Sequence, residues 1–396
     1  MLNRFCKRPL YEVTRTLANV AMGVEKAQLV IRNAKLVNVC TAEIQEGVDV
    51  AISEGRIALV GDAAHCIGEQ TDVINASGQY IAPGLIDAHT HVECSMISVG
   101  EFARAVREGL DPVKAIQYVT INAAACFRMD HEMGSITPGK CADIVFFSDL
   151  NDIRVTRTII DGDIVAEHGK MTVRIKEAAY PAFACNTMHV GQSISPDCFR
   201  IAARAGRERV KTRVIEIIPD HLENVERLID LDVRDGLVEA DPANDIMKLA
   251  VFERHHETGT RGFGFLKGLG LRKGAVAQTV AHDAHNMIVA GMNDEDMALA
   301  ANTLIQCGGG LCAVADGTLL ALVQLPIAGL MNDIPAEQMA GHLRKLQDAW
   351  KALGCAVHSP FMTLAYISLA CIPELRLTNR GLVDCRTFRF ADLFPS

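Results

Sequence analysis

A short run of histidines and carboxylates has the spacing that a metal site needs. It reads Asp87-Ala-His89-Thr-His91-Val-Glu93 and directly follows an apolar stretch. In a β-strand every second side chain points to the same face, so these four side chains are expected to share one face. Two neutral imidazoles about 6–7 Å apart can converge on one divalent cation. We therefore predict His89 and His91 as metal ligands, with Glu93 as a further candidate; a structural histidine pair is the alternative.

A second polar cluster interrupts the apolar run VAQTVAHDAHNMIVAG. It consists of His282, Asp283, His285 and Asn286. Buried polar groups are costly unless they are paired, so these side chains either satisfy one another or reach a cleft. If they reach a cleft, Asp283 and His285 are the candidate catalytic residues. His282 and Asn286 are then candidates for a substrate site or a second metal site.

Two further patterns have simpler interpretations. The run Arg254-His255-His256-Glu257 is interpreted as a solvated loop after a strand. His91-Val-Glu93 also resembles half of the cytidine deaminase zinc motif. The other half of that motif is Pro-Cys-x-x-Cys, and the sequence contains no Pro-Cys pair, so this interpretation fails.

Composition narrows the class of protein and its partners. The chain has 396 residues and a formal net charge of −9, which disfavours nucleic acid and anionic membranes as partners. No apolar stretch reaches the eighteen or so residues of a membrane span, and no signal peptide is expected. The thirteen cysteines are scattered and include no CxxC, which favours reduced thiols and a cytoplasmic protein.

Patterning predicts four regions along the chain. Residues 1–28 form an N-terminal extension with a short helix. Residues 29–80 and 131–177 are rich in Val and Ile in short alternating runs, so we expect them to pair into one composite β-sandwich domain around the inserted segment 81–130. Two unrelated small β pieces are the alternative. Residues 180–396 are expected to form a separate α+β domain.

Three helices are predicted inside these regions. One begins at Pro112 and runs to residue 127, and a second ends at the glycines that start with Gly308. A third has apolar residues at helical spacing from Met339 to Leu353 and ends before Gly354.

Several segments together resemble the amidohydrolase superfamily and, within it, the prokaryotic adenine deaminases. The opening of an amidohydrolase, a β domain followed by the first barrel strand with its HxH, is similar to AKLVNVCTAEIQEGVDVAISEGRIALVG and GQYIAPGLIDAHTHVECSM. The last barrel helix and the return to the β domain are similar to GLDPVKAIQYVTINAAACFRMDHEMGSITPGKCADIVFFSDL. The extra C-terminal domain of adenine deaminases resembles GFGFLKGLGLRKGAVAQTVAHDAHNMIVAG and IPELRLTNRGLVD. The resemblance covers nearly all of residues 27–396.

The resemblance implies an α/β fold with an amidohydrolase-type (β/α)8 barrel, a β-sandwich domain and an α+β C-terminal domain. It implies hydrolytic, metal-dependent deamination of adenine to hypoxanthine and ammonia in purine salvage. The implied cofactors are two divalent metals per site in intact relatives, Mn or Fe, with Zn as an alternative, and His89 and His91 match the family's HxH. The implied partners are a small purine base and a second copy of the chain, as in a homodimer or other homo-oligomer.

One departure from the family pattern is large. A (β/α)8 barrel takes roughly 250 residues, whereas segment 81–130 offers about fifty between the two β blocks. Most barrel strands therefore have no counterpart, so this segment is expected to be a barrel remnant. The family's bridging carboxylate, its later metal histidines and the aspartate of its last strand also have no counterpart. Three hypotheses stay open: an adenine deaminase, a non-catalytic binding or oligomerising protein, and another cyclic amidohydrolase.

Overall fold

The computed structural model describes residues 8–88, 106–151, 154–174, 179–191, 193–203, 206–219 and 221–395. They divide into two compact units, one containing the described residues up to 174 and the other those from 179 onward. Within these residues the strands form two nine-stranded sheets and one three-stranded sheet, and none of the three is a closed (β/α)8 barrel. The fold is mixed α/β.

The first unit consists mainly of short strands. Its helices are α1 (Leu10–Ala21), α2 (Pro112–Tyr118) and α3 (Ile121–Cys126), with a 3-10 turn at Ala64–Cys66. Its strands are β1 (Leu29–Asn38), β2 (Glu43–Ser53), β3 (Arg56–Gly61), β4 (Asp72–Asn75), β5 (Tyr80–Pro83), β6 (Ile144–Phe147), β7 (Val155–Ile160), β8 (Asp163–Glu167) and β9 (Lys170–Met171).

Strands from both strand-rich sequence blocks belong to one sheet. Its order is β3-β2-β1-β5-β6-β7-β8-β9, and β4 also pairs with β1. The two blocks meet where β5 pairs antiparallel with β6, from Tyr80 opposite Phe147 to Pro83 opposite Ile144. A shared core of buried Ile31, Ile52 and Phe146 spans both blocks, so neither block buries its apolar face alone.

The helix predicted from Pro112 to residue 127 is interrupted. Asp111 caps its start by accepting a hydrogen bond from the Lys114 N–H at 3.0 Å. The helix ends at Tyr118 and restarts at Ile121. The Val119 carbonyl accepts a hydrogen bond from the Ile86 N–H at 2.7 Å. A contact from a distant segment therefore replaces a helical hydrogen bond at this point.

The second unit contains the other two sheets. Its helices are α4 (Ala182–Cys185), α5 (Asp294–Cys307), α6 (Ala336–Ala352) and α7 (Pro360–Ala365), with 3-10 turns at Pro196–Phe199, Pro242–Asn244 and Tyr366–Ser368. Its strands are β10 (Arg209–Ile217), β11 (Asn224–Arg234), β12 (Leu237–Val238), β13 (Ile246–Phe252), β14 (Arg261–Lys267), β15 (Ala275–Gln278), β16 (Met287–Gly291), β17 (Gly310–Ala315), β18 (Thr318–Gln324), β19 (Leu375–Thr378), β20 (Gly381–Asp384) and β21 (Arg389–Ala391).

The large sheet of this unit is covered on both faces. Its order is β12-β11-β10-β14-β13-β16-β15-β17-β18, and β13 is buried along its whole length. Leu249 and Val251 of β13 lie in one core with Trp350 of α6. Ala250 and Phe252 lie in another core, to which α5 contributes. Alternate residues thus face opposite helical layers, as expected for a strand buried on both sides.

Two of the predicted helices are confirmed. Helix α6 buries Leu343, Leu346 and Trp350 and is followed by Gly354 at φ +107°. Helix α5 begins at a cap in which the Asn293 side chain accepts from the Asp296 N–H, and it ends at Gly308 in the left-handed conformation. Periodicity and end signals within each segment were sufficient for both helices.

The structure bears on two further expectations, that the thiols are reduced and that no segment spans a membrane. Cys141 is disulfide-bonded, so the expectation of reduced thiols is wrong at this position. Ten other described cysteines are free thiols. In the described part of the chain, no helix has both the length and the apolar character to cross a bilayer.

Candidate functional site

The polar cluster of the second unit lies in the connection between two paired strands. Strand β15 ends at Gln278, β16 begins at Met287, and Gln278 lies opposite Ile288 in their antiparallel pairing. Residues 279–286 therefore form a turn, and the polar cluster interrupts the apolar run at the connection between the two strands. The turn leaves the sheet, so its backbone and side chains need other hydrogen-bond partners.

His282 is packed into the protein. It is 2% exposed, its N–H donates to the Ala365 carbonyl at 2.9 Å, and its carbonyl accepts from Ser368 Oγ at 2.9 Å. Its ring stacks on Tyr366, with centroids 5.0 Å apart, and meets the His285 ring edge-on at 5.1 Å. His282 therefore joins the turn to α7 and the 3-10 turn that follows.

His285 has a defined tautomer. Its ring Nδ1 accepts a hydrogen bond from the backbone N–H of Ala281 at 3.2 Å. The backbone N–H of His285 donates to the Ala281 carbonyl at 2.6 Å. An imidazole nitrogen that accepts a hydrogen bond carries no proton, so the neutral ring carries its proton on Nε2.

Asp283 and Asn286 line the same cavity, which has a volume of about 450 Å³. Most other lining residues are apolar, among them Val251, Leu369 and Phe390. The Asp283 side chain is 76% exposed, and its Oδ1 lies 3.9 Å from His282 Nδ1. Neither histidine of the turn is among the lining residues. The structure thus brings a carboxylate and an amide to a mostly apolar cavity, an arrangement typical of small-molecule sites.

A buried arginine holds the turn in place, and sequence reasoning missed it. Arg254 is 1% exposed. Its Nε donates to the His285 carbonyl at 2.5 Å, one terminal nitrogen donates to the Thr187 carbonyl at 2.9 Å, and the other donates to the Ala328 carbonyl at 3.0 Å. The solvated-loop interpretation is therefore wrong for Arg254. A guanidinium offers five N–H donors in a planar fork, so one side chain can join several segments.

The environment of Arg254 leaves no room for a larger neighbour. A Cβ on Gly329 would lie 2.8 Å from a terminal guanidinium nitrogen, and Gly329 has φ +69°. Burial lowers the pKa of Arg254 to about 10, against the opposing effect of the Glu253 carboxylate. The guanidinium is therefore still charged at neutral pH.

The two residues beside Arg254 also support the turn or its surroundings. The ring Nε2 of His255 lies 2.7 Å from the Ala284 carbonyl. Glu253 accepts hydrogen bonds from the N–H groups of His255, His256 and Thr258. Burial alone raises the pKa of Glu253, but these hydrogen bonds outweigh it and hold the pKa below the ordinary 4.5.

The predicted metal ligands are in a different part of the sequence. His89, His91 and Glu93 lie outside the described residues, so their role stays a prediction. Asp87 is described and exposed, and strand β5 ends before it, at Pro83. The alternation argument therefore does not apply to Asp87, because β5 stops pairing with β6 at Pro83. Across the described ranges, no group of three His, Cys, Asp or Glu side chains could hold a metal ion.

Replacing Arg254 tests its role in positioning the turn. Arg254→Ala leaves three backbone carbonyls without their donor, and each lost hydrogen bond costs about 1 kcal/mol or more. We expect the free energy of unfolding of the second unit to fall by about 3–5 kcal/mol, measured by urea denaturation. Arg209→Ala is the control, because Arg209 is an exposed residue of the same unit. Equal midpoints for the two variants would contradict the assignment.

The pKa of Glu253 predicts a pH-dependent contribution to stability. Because folding lowers this pKa, the ionised carboxylate stabilises the fold fully above its unfolded value near 4.5. The contribution is lost as the pH falls through the lower folded pKa. Glu253→Gln should therefore reduce the free energy of unfolding by about 1–3 kcal/mol at pH 7. The difference from the wild type should shrink below pH 4.5; a difference that is constant from pH 7 to pH 3 rules the account out.

Family models match two regions of the chain. The model of the adenine deaminase C-terminal domain matches residues 222–389, which include the turn and all residues that line the cavity except Phe390. The amidohydrolase family model matches residues 93–165. A solved structure of an amidohydrolase from Thermotoga maritima MSB8 is 12% identical, with a TM-score of 0.30, and covers 35% of this chain and 100% of that chain. That similarity is too weak to support an inference about the fold.

Relatives that align over their full length show the family of this chain more strongly than the solved structure does. An adenine deaminase of Clostridium botulinum (strain ATCC 19397 / Type A) is 40% identical over 597 aligned positions, covering 100% of both chains. An adenine deaminase of Moorella thermoacetica is 33% identical and covers 98% of this chain and 99% of that one. Since this chain has 396 residues, about 200 of the 597 aligned positions have no residue here. The aligned residues nevertheless extend over both chains from end to end, and this chain belongs to the adenine deaminase family of amidohydrolases.

Proposed function

We propose that the substrate of this protein is adenine. The reaction is hydrolysis of the bond between C6 of adenine and its amino group, which gives hypoxanthine and ammonia. The observation that carries the proposal is the cavity beside the 279–286 turn, where Asp283 and Asn286 meet mostly apolar walls. A planar base needs apolar contact on its faces and a few polar groups at its edge, and this cavity offers both. The match of residues 222–389 to the adenine deaminase C-terminal domain supports the same substrate.

We assign different roles in the reaction to different residues of the turn. The oxygen of water adds to C6 and becomes the carbonyl oxygen of hypoxanthine. One proton of the water goes to the ring nitrogen N1, and the other goes to the amino group, which leaves as ammonia. The exposed Asp283 carboxylate is the group that we assign to this transfer. His282 holds the turn that carries Asp283 against Tyr366.

The metal requirement is assigned to a different segment. Amidohydrolases are typically metal-dependent, and a divalent cation, when bound, would supply activation of the attacking water. We assign His89 and His91, with Glu93, as ligands and Mn or Fe as the metal. The described residues offer no alternative cluster. Cytoplasmic localisation and assembly into a homo-oligomer belong to the same proposal.

A second candidate is a non-catalytic binding protein, and one specific observation favours it. About 200 of the 597 positions aligned with the Clostridium botulinum relative have no counterpart in the 396 residues of this chain. The missing length is close to that of a (β/α)8 barrel, which takes roughly 250 residues. A chain without most of a barrel retains the cavity of the second unit but lacks most of the loops that enclose a barrel active site.

We expect the 396-residue chain on its own to deaminate adenine slowly or not at all. Catalytic metal sites use three or more fixed protein ligands, whereas only His89 and His91 match ligands of the family, with Glu93 as a further candidate. The test is to incubate the chain, its mass verified, with adenine and Mn²⁺ and to follow hypoxanthine and ammonia, with bound metal measured in the same preparation. The Clostridium botulinum adenine deaminase is the positive control. Turnover in the usual enzyme range of about 1–10³ s⁻¹ would refute this expectation.

A further inference from the structure

A second buried arginine lies next to the cavity. Arg376 of β19 is 1% exposed and is not one of the residues that line the cavity. Its Nε donates to the Ile372 carbonyl at 2.8 Å, and one terminal nitrogen donates to the Tyr366 carbonyl at 2.8 Å. The other terminal nitrogen donates to the Leu222 carbonyl at 2.5 Å and to the Pro373 carbonyl at 3.2 Å. One guanidinium thus holds four backbone carbonyls.

Two of these hydrogen bonds join the ends of one loop. The loop begins at Tyr366 and ends at Ile372, and Arg376 donates to the carbonyl at each end. The four residues in its middle all line the cavity, namely Ser368, Leu369, Ala370 and Cys371. We call residues 366–372 the wall loop. The position of this wall of the cavity therefore depends on a side chain that lies behind it.

The wall loop also contacts the turn that carries Asp283. The Tyr366 ring stacks on the His282 ring with 5.0 Å between their centroids. Ser368 Oγ donates to the His282 carbonyl at 2.9 Å. His282 directly precedes Asp283, which lines the same cavity. A displacement of the wall loop would therefore remove the support of the residue next to Asp283.

The two buried arginines support the turn on opposite sides of Asp283. Arg254 donates to the carbonyl of His285, which follows Asp283. Arg376 acts through the wall loop on His282, which precedes it. Because the Asp283 side chain is 76% exposed, its own packing does little to fix its position. The carboxylate is placed by the residues on either side of it.

We propose that Arg376 is a positioning residue for Asp283, which it holds at the cavity through the wall loop and His282. The proposal rests on the proposed function, in which Asp283 transfers a proton. An arginine with a merely structural role would stabilise the second unit as a whole. A positioning arginine instead fixes the wall loop and the turn, and its loss leaves the core of the unit as it is.

NMR spectra of Arg376→Lys distinguish these two roles. Lysine keeps the positive charge but donates from a single nitrogen, so it cannot reach both ends of the wall loop. Stacking on Tyr366 shifts the ring resonances of His282, which are assigned through His282→Gln. In Arg376→Lys we expect these resonances to move towards their positions in Tyr366→Leu. The indole resonance of Trp350, the single tryptophan and a core residue of the unit, should stay unchanged.

Hydrogen–deuterium exchange gives a matching measure for the backbone. Peptides covering residues 366–373 and 279–286 should exchange at least about tenfold faster in Arg376→Lys than in the wild type, while a β13 peptide keeps its protection. Arg389→Lys is the matched control, because Arg389 is an exposed arginine of the same three-stranded sheet. It should leave both peptides unchanged.

A measurement on the wild type covers the case in which Arg376→Lys does not fold. In urea below the unfolding transition, the peptides covering residues 366–373 and 279–286 should lose protection together, since the wall loop supports the turn. Loss of protection at clearly different urea concentrations would overturn the proposal. This measurement requires no substitution.

The remaining outcomes are equally distinct. Unmoved His282 resonances in a folded Arg376→Lys variant, or unchanged exchange of residues 279–286, would overturn the proposal. A Trp350 resonance that moves together with those of His282 would show that Arg376 supports the whole unit, and the positioning role would be lost. All of these readouts are independent of turnover, whereas the proposed function is tested by hypoxanthine formation, so failure of one is not mistaken for failure of the other.

Discussion

The burial of the Arg254 guanidinium is the constraint on which the candidate site depends. A cation removed from water must keep its hydrogen bonds, because an unpaired buried charge is far more costly than an unpaired neutral group. Arg254 meets this requirement with the backbone carbonyls of Thr187, His285 and Ala328. Three segments that are distant in sequence are therefore held together by one side chain, and the 279–286 turn is one of them.

The residue preceding Arg254 adds the second part of the arrangement. The carboxylate of Glu253 is held by backbone N–H groups of its own turn, which keep it ionised at neutral pH. Its Oε2 also accepts a hydrogen bond from the Thr258 hydroxyl at 3.0 Å. The two adjacent residues of opposite charge thus have different roles. Arg254 fixes the position of the 279–286 turn, and Glu253 holds the segment that follows Arg254.

Much of the secondary structure could be predicted because its signals are local. The apolar spacing from Met339 to Leu353 and the glycine after it predict α6, and both signals lie within the helix or next to it. The interruption after Tyr118 could not be predicted, since it follows from a hydrogen bond with Ile86. The polar cluster of residues 282–286 marked the interruption of the apolar run, and the structure places a turn there.

The candidate site was only partly predictable for the same reason. Polar residues that interrupt an apolar run pointed to His282, Asp283, His285 and Asn286. The structure places Asp283 and Asn286 at one cavity, and the two histidines do not line it. Arg254 stood among charged residues and looked solvated, whereas its three carbonyl acceptors lie 31, 67 and 74 positions away in the sequence. Such separations are set by the tertiary fold and leave no pattern in a single sequence. The HxH of His89 and His91 is the opposite case, because its signal is entirely local.

Hydrogen–deuterium exchange of the turn tests most directly whether Arg254 holds the site together. The backbone N–H groups of His282 and His285 are hydrogen-bonded to the Ala365 and Ala281 carbonyls, so a peptide covering residues 279–286 should exchange slowly in the wild type. In Arg254→Gln we expect this peptide to exchange at least about tenfold faster, while peptides from β13 and β17 keep their protection. Unchanged protection of residues 279–286 in a folded Arg254→Gln variant would contradict the account.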